Sequence, residues 1–107
     1  FMDIDCVAVR ELYRGNKATC LRILAADTQR NRSMGITVGE SVCAASINME
    51  YHKLEPDEVA IKNYSENQWL LPVLIAAQIV TLTNSRISSP YGLLPVVRIN
   101  TDKLAQQ

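Results

Sequence analysis

Glycine-rich phosphate loops, paired cysteines and clustered histidines are all missing from this chain, and each absence removes a class of chemistry. Four glycines in 107 residues, with no Gly-x-Gly-x-x-Gly and no Walker loop, leave little backbone to cradle a phosphate. A single histidine, His52, rules out the His-Glu-x-x-His arrangement of zinc hydrolases. Cys6, Cys20 and Cys43 are odd in number and show no Cys-x-x-Cys spacing, so three reduced thiols in a cytoplasmic protein are expected, with no metal and no other cofactor. Aromatic side chains make up only 6% of the chain and do not interleave with the basic ones, which leaves no platform for stacking bases. The longest apolar run is far short of the roughly 18 residues a spanning helix needs, and no basic segment leads into an apolar core near the N-terminus. Neither membrane insertion nor a secretory signal is expected.

What is present is ordinary for a globular protein: 48% hydrophobic and 21% charged residues, with eleven basic and eleven acidic side chains cancelling to zero net charge. Zero net charge disfavours nucleic acid as a partner and lowers colloidal solubility. The charge is nonetheless segregated. Residues 10–32 carry six basic against two acidic side chains, and residues 40–66 carry six acidic against two basic. A basic first third leaves a nucleic-acid-linked regulator as the weakest of the functional readings, because solvated turns of either sign produce the same asymmetry. The length is that of one domain, here residues 2–100, with 101–107 read as a frayed tail.

Periodicity supplies the elements. Ile4 to Tyr13 alternates as a strand, and Arg14-Gly15-Asn16-Lys17 offers turn chemistry before a return over 18–26, where strand and short helix fit almost equally well. Asp27 to Gly39 reads as a mobile polar loop. Ser41 to Lys53 alternates again, with Cys43, Ala45, Ile47, Met49 and Tyr51 facing the core and Ser46, Asn48, Glu50 and His52 facing water. A turn at Leu54–Glu58 leads into a short strand, Glu58 to Tyr64. After the helix, Thr81 to Thr83 starts a strand that an Asn84-Ser85-Arg86 turn ends, and Leu93 to Asn100 is a last strand that Pro95 pushes toward a sheet edge.

The clearest signal is a helix over 65–80. Ser65 and Gln68 form a capping box, Tyr64 and Trp69 a hydrophobic staple, and Pro72 predicts a kink. From Trp69 to Ala77 no side chain is polar, so the helix has no wet face and needs cover on more than one side. Together these elements predict an α+β fold: a mostly antiparallel sheet of five to six strands with the 65–80 helix packed on one face.

Function follows from what such a helix requires. The leading expectation is a small binding module that self-associates as a homodimer, through Trp69, Leu70, Leu71, Val73 and Leu74 of the helix and Leu93, Leu94 and Val96 of the last strand. The alternative is a small enzyme or small-molecule receptor in which His52, oriented by Glu50 on the same strand face, acts as acid or base in a cleft. No nucleophile or second base is tied to His52 by spacing, so a non-enzymatic role is favoured.

Overall fold

The computed structural model describes residues 4–13, 15, 18–48, 54–62, 68–90 and 92–105. The fold is α+β, with two antiparallel sheets and one main helix laid on them. Strand β1 (Cys6–Leu12) pairs with β2 (Thr19–Ala25) from Cys6↔Ala25 to Leu12↔Thr19, which settles 18–26 as a strand. Leu21, Ile23 and Ala25 are all buried, so the period of two prevails there over helical spacing.

The polar loop expected at 27–39 contains a short helix, α1 (Gln29–Ser33). Thr28 caps it by accepting a hydrogen bond from the Asn31 N–H at 3.2 Å. The Asn31 side chain, fully buried, donates to the carbonyls of Asp5 (2.7 Å) and Ala26 (3.0 Å) and accepts from the Asp5 N–H (3.0 Å). One amide thus nails the segment to the start of β1, between arginines that make the stretch look solvated in sequence.

The predicted strand over 41–53 breaks in two, β3 (Ser41–Ala44) and β4 (Ser46–Ile47), at a corner between the sheets. Ala45, with no exposed surface, donates its N–H to Leu21 of β2 at 2.8 Å and accepts at its carbonyl from Lys62 at 2.9 Å, so one residue belongs to both ladders. Ser46 was expected on the wet face but is buried, because its Oγ accepts the Leu21 N–H at 2.9 Å in place of a backbone carbonyl. Tyr13 donates its hydroxyl to the Ser46 carbonyl at 3.2 Å. Residues 49–53, including the rest of the expected strand, lie outside the described residues.

The second sheet runs β4-β5-β7-β6, with β5 (Glu58–Ile61), β6 (Val80–Ser89) and β7 (Gly92–Ile99). Its centre is covered on both faces. Val59, Ile61, Val97 and Ile99 face the main core with Ala8, Leu21 and Ile23, while Ala60, Ile87, Leu94 and Val96 form a smaller cluster with Ile47 and Leu54. The expected turn at Asn84-Ser85-Arg86 is a β-bulge: the β6–β7 register slips between Leu82 and Ser85, and Asn84 takes a φ of 68°. Strand β6 therefore continues seven residues past Leu82, and the hairpin turns instead at Pro90.

Two further expectations change. Pro95 does not make β7 an edge strand, because β7 lies between β5 and β6. It falls just beyond Ala60↔Val96, so it interrupts none of the pairs described between β5 and β7. The tail is not frayed over its first five residues: Thr101–Lys103 form a 3₁₀ turn, Leu104 packs on the core and the Ala105 N–H donates to Ala8 of β1 at 2.8 Å.

Replacing Ser46 by alanine removes the acceptor at the corner and leaves the Leu21 N–H buried without a partner. A loss of about 1–3 kcal/mol is expected, read as a lower urea midpoint at unchanged slope.

Candidate functional site

Helix α2 (Leu70–Ala76) is shorter than the predicted 65–80. Tyr64 and Ser65, which carry the expected staple and cap, lie outside the described residues, while Gln68 and Trp69 form a turn ahead of the helix and Val80 already belongs to β6. Pro72 accounts for the late start. A helix beginning at Leu70 holds Pro72 in its first turn, where a backbone N–H has no helical acceptor, so the kink expected of a longer helix is avoided.

The other end is locked by a Schellman motif. The Ile79 N–H donates to Leu74 and the Gln78 N–H to Ile75, both at 3.0 Å, with Gln78 at φ 62° where glycine is usual. The same end is tied to the finish of β7. The Asn100 N–H donates to the Ile79 carbonyl at 2.8 Å and Asn100 Nδ2 to the Gln78 carbonyl at 3.2 Å.

Only Leu70 and Leu74, one turn apart, are buried under α2. Helical geometry places Leu71 and Ile75 on the flank toward β6, Val73 and Ala77 on the opposite flank, and Pro72 and Ala76 outward. The result is an apolar surface in water: Trp69 is 70% exposed, Val73 41% and Ile75 39%. On the β6 flank the β6–β7 hairpin extends beyond the helix. Leu71, Leu82, Leu93 and Pro95, with Asn84, Ser85 and Arg86 at one end, line a groove of about 250 Å³ there. Leu82 (54% exposed) and Leu93 (64%) continue the apolar surface onto the sheet.

The predicted interface residues therefore separate. Trp69, Val73 and Leu93 are exposed and Leu71 is half-buried beside the groove, whereas Leu70, Leu74, Leu94 and Val96 are buried in the core. In β7 the cause is strand alternation: Leu94 and Val96 point into the smaller cluster, while Leu93 and Pro95 lie on the opposite face. Leu82 was missed. It lies in the strand expected from Thr81, but the turn expected at Asn84 cuts that strand short and removes the hairpin face that Leu82 shares with Leu93 and Pro95.

His52 and Glu50, the candidate acid–base pair, both lie outside the described residues. In the basic segment, Arg22 pairs with Glu11 at 2.8 Å, Arg30 with Asp5 at 3.4 Å and Arg32 with Asp27. Arg10 donates to Thr19 Oγ1 and to the Pro56 carbonyl, both at 3.3 Å. Cys6, Cys20 and Cys43 are thiols with no disulfide between them. Burial, the largest influence on both, raises the pKa of the Cys6 and Cys43 thiols. Burial likewise pushes the Tyr13 phenol up to about 12, against the opposing hydrogen bond to Ser46. Among the described residues, no three His, Cys, Asp or Glu gather as a metal site, and no helix is long and apolar enough to cross a membrane.

No family model, curated protein or solved structure matches the chain.

Two measurements check this geometry. Gln78→Gly should stabilise the protein by about 0.5–1 kcal/mol in urea unfolding, because glycine adopts a positive φ without a Cβ clash. For Tyr13, the folded pKa lies above the unfolded value near 10, so its contribution to stability is complete below pH ~10 and is lost as pH rises through about 12. Urea midpoints should fall over that window, and Tyr13→Phe should flatten the fall.

Proposed function

We propose that this protein is a small binding module that associates with a second copy of itself through the outward face of α2 and the groove beside β6. The observation that carries this reading is the mismatch between the composition of α2 and its burial. The helix is apolar all round, yet within it only Leu70 and Leu74 are buried and Leu71 is half-buried. Trp69, Val73, Ile75, Leu82 and Leu93 form the kind of exposed apolar surface that soluble monomers seldom present. A projecting tryptophan is also the side chain most enriched at binding hot spots.

A second copy suits this surface better than other partners. The same chain carries a projecting indole and an apolar groove, so a two-fold operation offers each to the other. Zero net charge removes the repulsion that keeps strongly charged chains apart. The neighbours already found by Arg10, Arg22, Arg30 and Arg32 weigh against nucleic acid. Three thiols without a disulfide support a reducing, cytoplasmic setting.

Light scattering over a concentration series tests the proposal. A dimer mass is expected for the native sequence at tens of micromolar. Trp69→Ser and Leu93→Ser should each weaken association by about tenfold or more with an unchanged circular dichroism spectrum, since both side chains are exposed in one copy. A strictly monomeric native protein would overturn it.

A further inference from the structure

On the flank of α2 away from the groove lies a second hollow, of about 300 Å³, between the helix and β1. Ala8 and Ile23 of the first sheet form its floor with Leu74, Val73 and Ala77 stand at its rim, and Ile4 and Ile79 line it further. Two short side chains open the space: Ala8 and Ala77 stand where most neighbours carry branched ones. Protein interiors seldom leave voids much larger than a water, so a helix resting on two leucines would be expected to settle inward. This one is held off. Its C-terminal turn is fixed by the Ile79 and Gln78 hydrogen bonds and by the ties from Asn100 to Ile79 and Gln78.

The lining side chains are apolar apart from Asp5 and Cys6. The one charged side chain among the described lining residues is Asp5, whose carboxylate accepts from Thr28 Oγ1 at 2.8 Å and pairs with Arg30 at 3.4 Å. Cys6 turns its thiol to the Ile4 carbonyl at 3.2 Å.

From this geometry we infer that the hollow is a binding site for a small, uncharged, hydrocarbon-rich molecule, such as a medium-chain alcohol or ester. Size supports the class. The volume is about twice that of an engineered apolar cavity of roughly 150 Å³ that takes up benzene, and it sits at the lower bound of ordinary ligand pockets. Charge narrows it further, because the described lining residues include no Lys, Arg or His to pair an anionic head group, and a charge without a partner is costly to bury among apolar side chains. Self-association is not needed for this site.

Titration with 1-octanol and, separately, octanoate, followed through the methyl resonances of the protein, tests the inference. Octanol should give saturable shifts centred on Ile23, Leu74 and Ile79, and octanoate at neutral pH should bind at least tenfold more weakly. Ala77→Phe and Val73→Phe place a ring at the rim and should each reduce octanol affinity tenfold or more. If one variant loses its dispersed methyl spectrum the other decides, and if both do, the native shift map decides. Absence of saturation, shifts centred on Leu82 and Leu93, equal affinity for the anion, or undiminished binding in a folded rim variant would each overturn it.

Discussion

The rest of the structure depends on how the chain passes from one sheet to the other at Ala45 and Ser46. A strand that leaves its sheet exposes backbone groups that must find partners or go buried without them. Here the Leu21 carbonyl accepts from Ala45, the Leu21 N–H donates to the Ser46 hydroxyl, and the Ala45 carbonyl accepts from Lys62. Leu21, Ala45 and Ser46 are almost without exposed surface. Because this one step is fully hydrogen-bonded, the two sheets can turn toward each other and enclose a shared core.

That core gives α2 its place but not its cover. Leu70 and Leu74 reach the cluster formed by Ala8, Ile23, Ile61 and Val97, and the helix ends are set by Pro72 at one side and the Gln78 turn at the other. A seven-residue helix is too short to be stable by propensity alone, so its packing and end locks carry it. Both candidate sites follow from that placement. On one flank the hairpin outruns the helix and leaves a groove, and on the other the short side chains of Ala8 and Ala77 leave a hollow.

Where the fold departs from its local sequence pattern, side chains take over backbone roles. Ser46 looked like a wet-face residue, yet its hydroxyl completes a buried ladder. Asn31 sat in an apparently solvated loop, yet its amide makes three hydrogen bonds to Asp5 and Ala26. Asn84 signalled a turn through its tolerance of positive φ, and that tolerance was used for a bulge inside a strand instead. In each case the residue type announced local non-ladder bonding, while the partner that decided its form lay elsewhere in the chain.

By itself the sequence determined the α+β class, the first strand, the last strand and an apolar helix around Pro72, because these rest on periodicity and local backbone preference, whereas the pairing of β1 with β2 made 18–26 a strand. It also determined that the helix would have more apolar surface than one sheet face can cover. Which of those apolar residues are core and which meet water was decided only by the tertiary structure. Leu93 and Leu94 are adjacent and chemically identical, but strand alternation and the cluster around Ile87 bury one and expose the other. Leu70 and Val73 differ in the same way, because the angle at which α2 meets the sheets is fixed by packing and by Asn100, neither of which local sequence encodes.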